Sequence, residues 1–267
     1  METLKYSVDG GVGRLVLNRP HRGNAFNRTM LGELRSLLSE ISRDEGLRVL
    51  VITGEGKHFC AGGDLNWMKE MGNAPYEENY RDALALYDTY RALEDVPVPV
   101  ISLVKGAVRG GGMGIVAVSD VVISTDNATF SFSEVKLGIV PSVVSSFALR
   151  RIGFAAARRL FLTGEVFGPE LAREIGLVDV VVPQERLEEE GERFVSEILK
   201  NGPRAVRRTK ELLRLYRPFY GEHFRHITAH ILAMTRASEE AQEGMDAFLS
   251  KREPKWRGTS PNGTTVK

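Results

Sequence analysis

Two glycine-rich turns hold the residues with the clearest chemical potential. The first is His58-Phe59-Cys60-Ala61-Gly62-Gly63-Asp64-Leu65, the second Lys105-Gly106-Ala107-Val108-Arg109-Gly110-Gly111-Gly112-Met113-Gly114. Glycine lets backbone N–H groups approach a ligand closely, and a helix N-terminus adds partial positive charge. Two such turns converging on one point would give two N–H donors for one oxygen, the construction of an oxyanion hole. Taken singly, either turn reads equally well as a tight packing turn. Nucleotide motifs fail: Gly56-Lys57 is followed by His58, and residues 110–114 do not match Gly-x-Gly-x-x-Gly.

Glu134 is the best acid/base candidate. It sits among apolar and small neighbours in Phe130-Ser131-Phe132-Ser133-Glu134-Val135-Lys136-Leu137-Gly138-Ile139-Val140-Pro141. Burial there would raise its pKa toward a useful range; the competing reading is a surface salt bridge with Lys136. Asp64 reads as a helix cap. Cys60, the only cysteine, reads as a small buried hydrophobe rather than a nucleophile, since no base is evident beside it. His223, His226 and His230 share a helical spacing, but no carboxylate set accompanies them, so no metal site is expected. Arg207, Arg208, Lys210 and Arg214 read as a solvated face.

The elements around these residues alternate. Each glycine turn follows an apolar β-type run, Val49-Leu50-Val51-Ile52 and Val98 to Val104. A hairpin is predicted over 6–17, turning at Asp9-Gly10. Asn27 can cap a helix to about Arg43. Further helices are predicted over 76–94, 111–119, 142–150, 154–161 and 169–175, with a short strand at 121–123 and an apolar run at 177–182. Residues 66–75 carry no clear signal. From 184 to 251 the pattern is helical, broken near 201–203 and 217–218, and 258–267 reads as a loose tail. This alternation suggests stacked ββα units rather than one antiparallel sheet.

With 267 residues, 42% hydrophobic and 27% charged, the chain is one large domain, or one domain plus a helical appendage. A net charge of +1 gives no support for a nucleic-acid partner. No apolar run reaches ~18 residues, so no membrane span is expected. Met1-Glu2-Thr3-Leu4-Lys5 is no basic-then-apolar leader, and a cytoplasmic location is the expectation.

Taken together, the segments resemble the crotonase (enoyl-CoA hydratase/isomerase) family over nearly the whole chain. The matching motifs are Asn18-Arg19-Pro20 with Asn24-Ala25-Phe26, then Phe59 to Leu65, Gly106 to Gly114, and Glu134 to Pro141. Leu162-Thr163-Gly164-Glu165, Ala172 to Leu177 and Glu243-Gly244-Met245 to Arg252 follow in the family's order. The resemblance implies an α/β fold of stacked ββα turns forming a spiral core over 1–200, a helical trimerisation region over 201–257, and assembly as a trimer or dimer of trimers. It implies an acyl-CoA thioester substrate and no separate cofactor. The oxyanion N–H groups would come from Gly63 and Gly111, with Glu134 as acid/base. Ala61, Leu65, Asn66, Gly110 and Ser142 would lie along the substrate, and Phe248 and Lys251 of a neighbouring subunit would meet the adenine-phosphate end.

Two departures stand out. Many hydratases of the family carry a second glutamate two residues after the glycine triplet, where this chain has Gly114. Ser142-Val143-Val144-Ser145-Ser146-Phe147 stands where a glycine-rich stretch is usual. Leu65 to Lys69 and Pro141 to Gly153 resemble the methylglutaconyl-CoA hydratase-like subgroup, whose members often carry glycine at the Gly114 position. The resulting expectation is hydration of a 2-enoyl thioester, branched or carboxylated. Space beside Gly114 would hold a water or a polar substrate group, with Ser142, Ser145 or Ser146 as partners. The alternatives are a Δ3,Δ2-enoyl-CoA isomerase and an inactive acyl-CoA- or RNA-binding scaffold.

Overall fold

A computed structural model describes residues 1–215 and 222–257. The chain opens with strands β1 (Leu4–Asp9) and β2 (Val12–Leu17), an antiparallel pair joined across Gly10-Gly11. Both glycines have positive φ, +54° and +82°, as a two-residue hairpin turn of this hand requires. Strands β3 (Val49–Gly54), β4 (Val100–Val104), β6 (Val121–Thr125) and β8 (Val180–Val182) then add in parallel, giving the order β1-β2-β3-β4-β6-β8. A second, two-stranded parallel sheet pairs β5 (Ala107–Arg109) with β7 (Thr129–Ser131).

The central strands β3, β4 and β6 are buried on both faces, which is why they read as largely apolar runs, whereas the edge strand β1 is mostly exposed. Leu50 and Ile52 face one cluster; Val49, Val51, Ile101 and Leu103 face the other, under helix α7 (Leu187–Leu199). Helix α1 (Arg28–Ile41) starts at Asn27, whose side chain accepts the Met30 N–H, and buries Met30, Leu31, Leu34, Leu37, Leu38 and Ile41. Residues 65–73, silent in the sequence, form α2 (Leu65–Asn73), and α3 spans Tyr76–Glu94 as expected. Helix α4 covers Gly111–Val118 and α6 Pro169–Glu174. The two helices expected after Pro141 are continuous as α5 (Ser142–Thr163), but Gly153, at φ +73° and ψ +165°, breaks the helical backbone where the gap was expected.

The C-terminal third forms α8 (Pro203–Leu215), α9 (Glu222–Arg236) and α10 (Glu239–Leu249). Ser238 caps α10 and makes a break the sequence reading missed. The break near 217–218 and the tail 258–267 lie outside the described residues.

On the basic face of α8, Arg208 is solvated as expected and pairs with Glu211, but the other three cations turn inward. The Lys210 ammonium is buried, donates to the Val98 carbonyl at 2.9 Å and pairs with Asp120 at 2.5 Å. Arg207 donates to the carbonyls of Asp44 and Leu47, and Arg214 to that of Val96. These cations close strand ends whose carbonyls would otherwise lack partners.

Helix α9 packs along α3, and α10 lies on α2 and on the 3-10 turn Glu134–Leu137 of the same chain. The close approach of α10 needs two glycines. A Cβ on Gly138 would fall 2.7 Å from the Glu240 backbone, and one on Gly244 would fall 2.6 Å from the Leu137 oxygen. Arg236, only 2% exposed, ties α9 to α3 through Asp82 at 2.8 Å and Asn79 Oδ1 at 3.2 Å.

Removing one partner of a buried ion pair strands the other charge, at a cost of ~3–5 kcal/mol. Asp82→Ala is therefore expected to lower unfolding stability by about that amount in denaturant titrations. The double variant Asp82→Leu/Arg236→Met is expected to lose less than the single one.

Candidate active site

The two glycine turns meet through backbone pairing. Phe59 N–H donates to the Lys105 oxygen (2.8 Å), Cys60 N–H to Ala107 (3.2 Å) and Arg109 N–H to the Cys60 oxygen (2.9 Å). His58 Nδ1 accepts the Ala107 N–H at 3.0 Å. On the other side, Phe26 N–H donates to the Gly62 oxygen (2.8 Å) and Asp64 N–H to Phe26 (2.7 Å). The Asn-Arg-Pro signature underlies this clasp. Asn24, non-glycine yet at φ +57°, is fully buried and donates to the carbonyls of Glu55 and His58 while accepting from Arg19 N–H. Arg19 pairs with Asp64 at 3.0 Å, and Asp64 caps α2 by accepting the Asn66 N–H.

Two N–H groups are left over. That of Gly63 donates to no acceptor among the described residues. Gly111 opens α4, so its N–H is one of the donors a helix start leaves unpaired; the Ala107 oxygen, four residues back, already accepts from Cys60. Gly110, at φ +40° and ψ −108°, turns the chain between them in a conformation only glycine adopts readily.

The β5–β7 pairing delivers Glu134 to the same place, three residues beyond the end of β7. A Cβ at Gly110 would lie 3.7 Å from Glu134 Oε1, 3.6 Å from Gly62 Cα and 4.0 Å from Gly63 N, so all three groups surround one point. Glu134 is partly exposed as a residue, but its carboxyl is enclosed: Oε2 is buried with no hydrogen-bond partner. It makes no ion pair with Lys136. Burial pushes the carboxyl up to about 7. Burial also raises the Cys60 thiol to about 12, so Cys60 is an inert packing group at neutral pH.

A cavity of about 1010 Å³ contains these atoms. Ala61, Gly63, Leu65, Asn66, Gly110, Gly111, Glu134, Ser142, Phe248 and Lys251 all line it, so these ten residues named from the sequence come to one site. Phe248, on α10, and Lys251, just after it, line the cavity of their own chain. Of the three serines after Pro141, only Ser142 lines the cavity; its Oγ is buried without a partner, whereas Ser145 donates to the Ser142 carbonyl. The expected space beside Gly114 is filled. A Cβ there would fall 2.3–2.7 Å from the Tyr90 ring, which is itself fully buried. Tyr90 was missed because it reads as one more apolar position on the inner face of α3. His226 and His230 engage Tyr80 and Tyr76 through Nδ1, at 2.5 and 2.7 Å.

Comparison with known proteins shows the family and the fold. The enoyl-CoA hydratase/isomerase family model matches residues 7–259. An enoyl-CoA hydratase of Alternaria alternata, AFT6-1, is 32% identical over 247 residues, 91% of this chain and 80% of that protein. The crystal structure of an enoyl-CoA hydratase from Shewanella pealeana is 36% identical with a TM-score of 0.78, covering 95% of this chain and 96% of the other. One from Mycobacterium avium is 30% identical with a TM-score of 0.83, covering 96% and 99%. The chain belongs to the enoyl-CoA hydratase/isomerase, or crotonase, family and has its α/β fold.

The raised Glu134 pKa has two pH consequences. If its carboxylate is the base, kcat/KM falls about tenfold per pH unit below about 7 and is flat above, which a pH–rate profile reads directly. A carboxyl raised above its unfolded value costs stability as pH rises from about 4.5 through about 7, since the native state must then hold an uncompensated charge. Glu134→Gln is thus expected to raise Tm at pH 8 and to lose that advantage by pH 4.

Proposed function

We propose that the protein is an enoyl-CoA hydratase adding water across the 2,3 double bond of an enoyl-CoA thioester, and that Gly63, Gly111 and Glu134 carry the reaction. The observation that supports this most is one enclosed carboxylate, without a partner and with a pKa near neutrality, beside two unpaired backbone N–H groups in a single large cavity. The N–H groups bind the thioester oxygen. Water attacks C3 as Glu134 takes its proton; the electron pair moves through C2 onto the thioester oxygen, giving an enolate. The hole stabilises that charge more than the neutral ground state, which lowers the barrier. Glu134 then returns a proton to C2. Ala61, Leu65, Asn66, Gly110 and Ser142 flank the acyl-pantetheine path. Exposed Arg22, Lys136 and Lys251 on the lining suit the CoA phosphates, with Phe248 beside the adenine. No cofactor beyond the substrate's own CoA is required.

A branched or carboxylated acyl group fits the subgroup resemblance, with Ser142 as its partner. A Δ3,Δ2-enoyl-CoA isomerase is the second reading, favoured by one observation: Tyr90 over Gly114 leaves no room for a second carboxylate at position 114, and one carboxylate suffices to move a proton between C4 and C2. We further propose a cytoplasmic trimer or dimer of trimers built through 201–257, acting without nucleic-acid or membrane partners. Leu212, Leu213 and Leu215 on α8 and Phe224, Ile227 and Met234 on α9 are exposed and suit such contacts. Leu232, on the same helix as Phe224, belongs to the chain's own core.

In deuterated water, the hydratase reading expects a 3-hydroxyacyl-CoA carrying deuterium at C2. Fast turnover of 3-enoyl-CoA with no hydration of any 2-enoyl thioester would replace it by the isomerase. Glu134→Gln is expected to lower kcat at least ~100-fold with the fold intact. Gly111→Pro removes one donor and is expected to cost ~3–4 kcal/mol of transition-state stabilisation; an unchanged Tm controls for unfolding, and a stable, active variant would rule out the hole. Sedimentation at micromolar concentration is expected to show a trimer or hexamer, and a monomer would refute the assembly.

A further inference from the structure

Four of the five residues from Gly110 to Gly114 are glycines, so the backbone that presents the Gly111 N–H has little conformational preference of its own. Yet an oxyanion hole works only if its donors are held in place before charge develops. Something outside the turn must hold it. Tyr90, on α3, is fully buried, and its hydroxyl donates to the Gly111 carbonyl oxygen at 2.9 Å. Its ring lies against Gly114, one helical turn further along α4. Phe26 and Phe147 pack on the ring, with centroids 6.4 and 5.6 Å away. Phe26 also closes on Gly111 beside that hydroxyl: a Cβ there would meet Phe26 Cδ2 at 3.0 Å and Tyr90 Oη at 3.3 Å.

We infer that Tyr90 is a positioning residue for the oxyanion hole: its hydroxyl clamps the Gly111 peptide, and its ring takes the volume a side chain at position 114 would need. This inference rests on the proposed role of Gly111. Two physical points support it. The Gly111 carbonyl opens a helix and has a second lone pair beyond the one used by the intrahelical bond, so the hydroxyl adds a constraint without removing one. The clamp and the absent second carboxylate are also one feature, because the ring that carries the hydroxyl excludes even a methyl group at Gly114. A chain that keeps this tyrosine does its acid–base chemistry with Glu134 alone.

Tyr90→Phe keeps the ring and its packing and deletes only the hydroxyl. The expected result is a fall in kcat of about tenfold with KM within about twofold, because the loss falls on charge stabilisation in the transition state. A merely structural role would leave the bound substrate's carbonyl unchanged, so the second readout is the infrared stretch of a 13C-labelled thioester carbonyl in bound butyryl-CoA, which is not turned over. In wild type that stretch is expected to shift to lower frequency on binding; in Tyr90→Phe the shift is expected to shrink. Incorporating 3-fluorotyrosine at position 90 keeps the bond with a stronger donor and is expected to preserve both the shift and kcat. A wild-type shift that survives intact in Tyr90→Phe, with kcat unchanged, overturns the positioning role alone. No shift in wild type overturns the Gly63–Gly111 hole and this inference with it.

Discussion

The site depends on the backbone pairing that draws the two glycine turns together. Residues 59–60 run beside residues 105–109 as a short parallel bridge, with Cys60 opposite Val108. Parallel strands cannot be joined by tight turns, so this contact unites segments that leave different strands of the large sheet. This shared ladder brings Gly62 and Gly63 beside Gly110, the residue that precedes Gly111. Side chains do not intrude, because the residues facing inward there are glycine. Cys60 fits for the same reason: a Cβ on Gly112 would already meet its Cβ at 2.8 Å, so nothing larger than a thiol packs easily on that face.

The same logic extends to the carboxylate. The β5–β7 ladder continues the bridge by one more strand and ends just before Glu134, so donors and acid/base share one rigid backbone unit. Helix α10 then closes over the Glu134 turn through the Gly138 and Gly244 contacts, and the Arg236–Asp82 pair holds the preceding helix in register. Enclosure costs the carboxylate its hydration, and that desolvation is what moves its pKa toward neutrality. The covering helices thus tune the acid/base as well as shaping the cavity.

The family's second glutamate is replaced here by a tyrosine from another helix, not by open space. Tyr90 and Gly114 are complementary in volume: with the ring in place, a side chain at position 114 has no room. The electrostatic setting changes as well: a neutral, buried phenol raises no like-charge repulsion with Glu134, whereas a second carboxylate would.

Much of this was legible in the residues themselves. The early hairpin, the Asn27 cap, the α1 and α3 periodicities and the apolar parallel strands are local signals, and the structure follows them, with the turn at Gly10-Gly11 one residue beyond the expected Asp9-Gly10. Ordered motifs located Glu134, Gly63 and Gly111, and the cavity gathers them with the other named positions. What stayed hidden depends on contacts between distant segments. The three-residue strands β5 and β7 are too short to show a period. Lys210 and Arg214 look like solvated cations until α8 lands on the strand ends and their carbonyls. Position 114 reads as empty in one dimension, since no local rule tells a glycine beside a void from a glycine under a ring. Local propensity and motif order therefore determined the elements, the family and the positions that the cavity gathers. Tertiary packing alone decided that Tyr90 fills the second-carboxylate position and that the C-terminal helices enclose Glu134 in the same chain, because volume exclusion and desolvation exist only once the chain is folded.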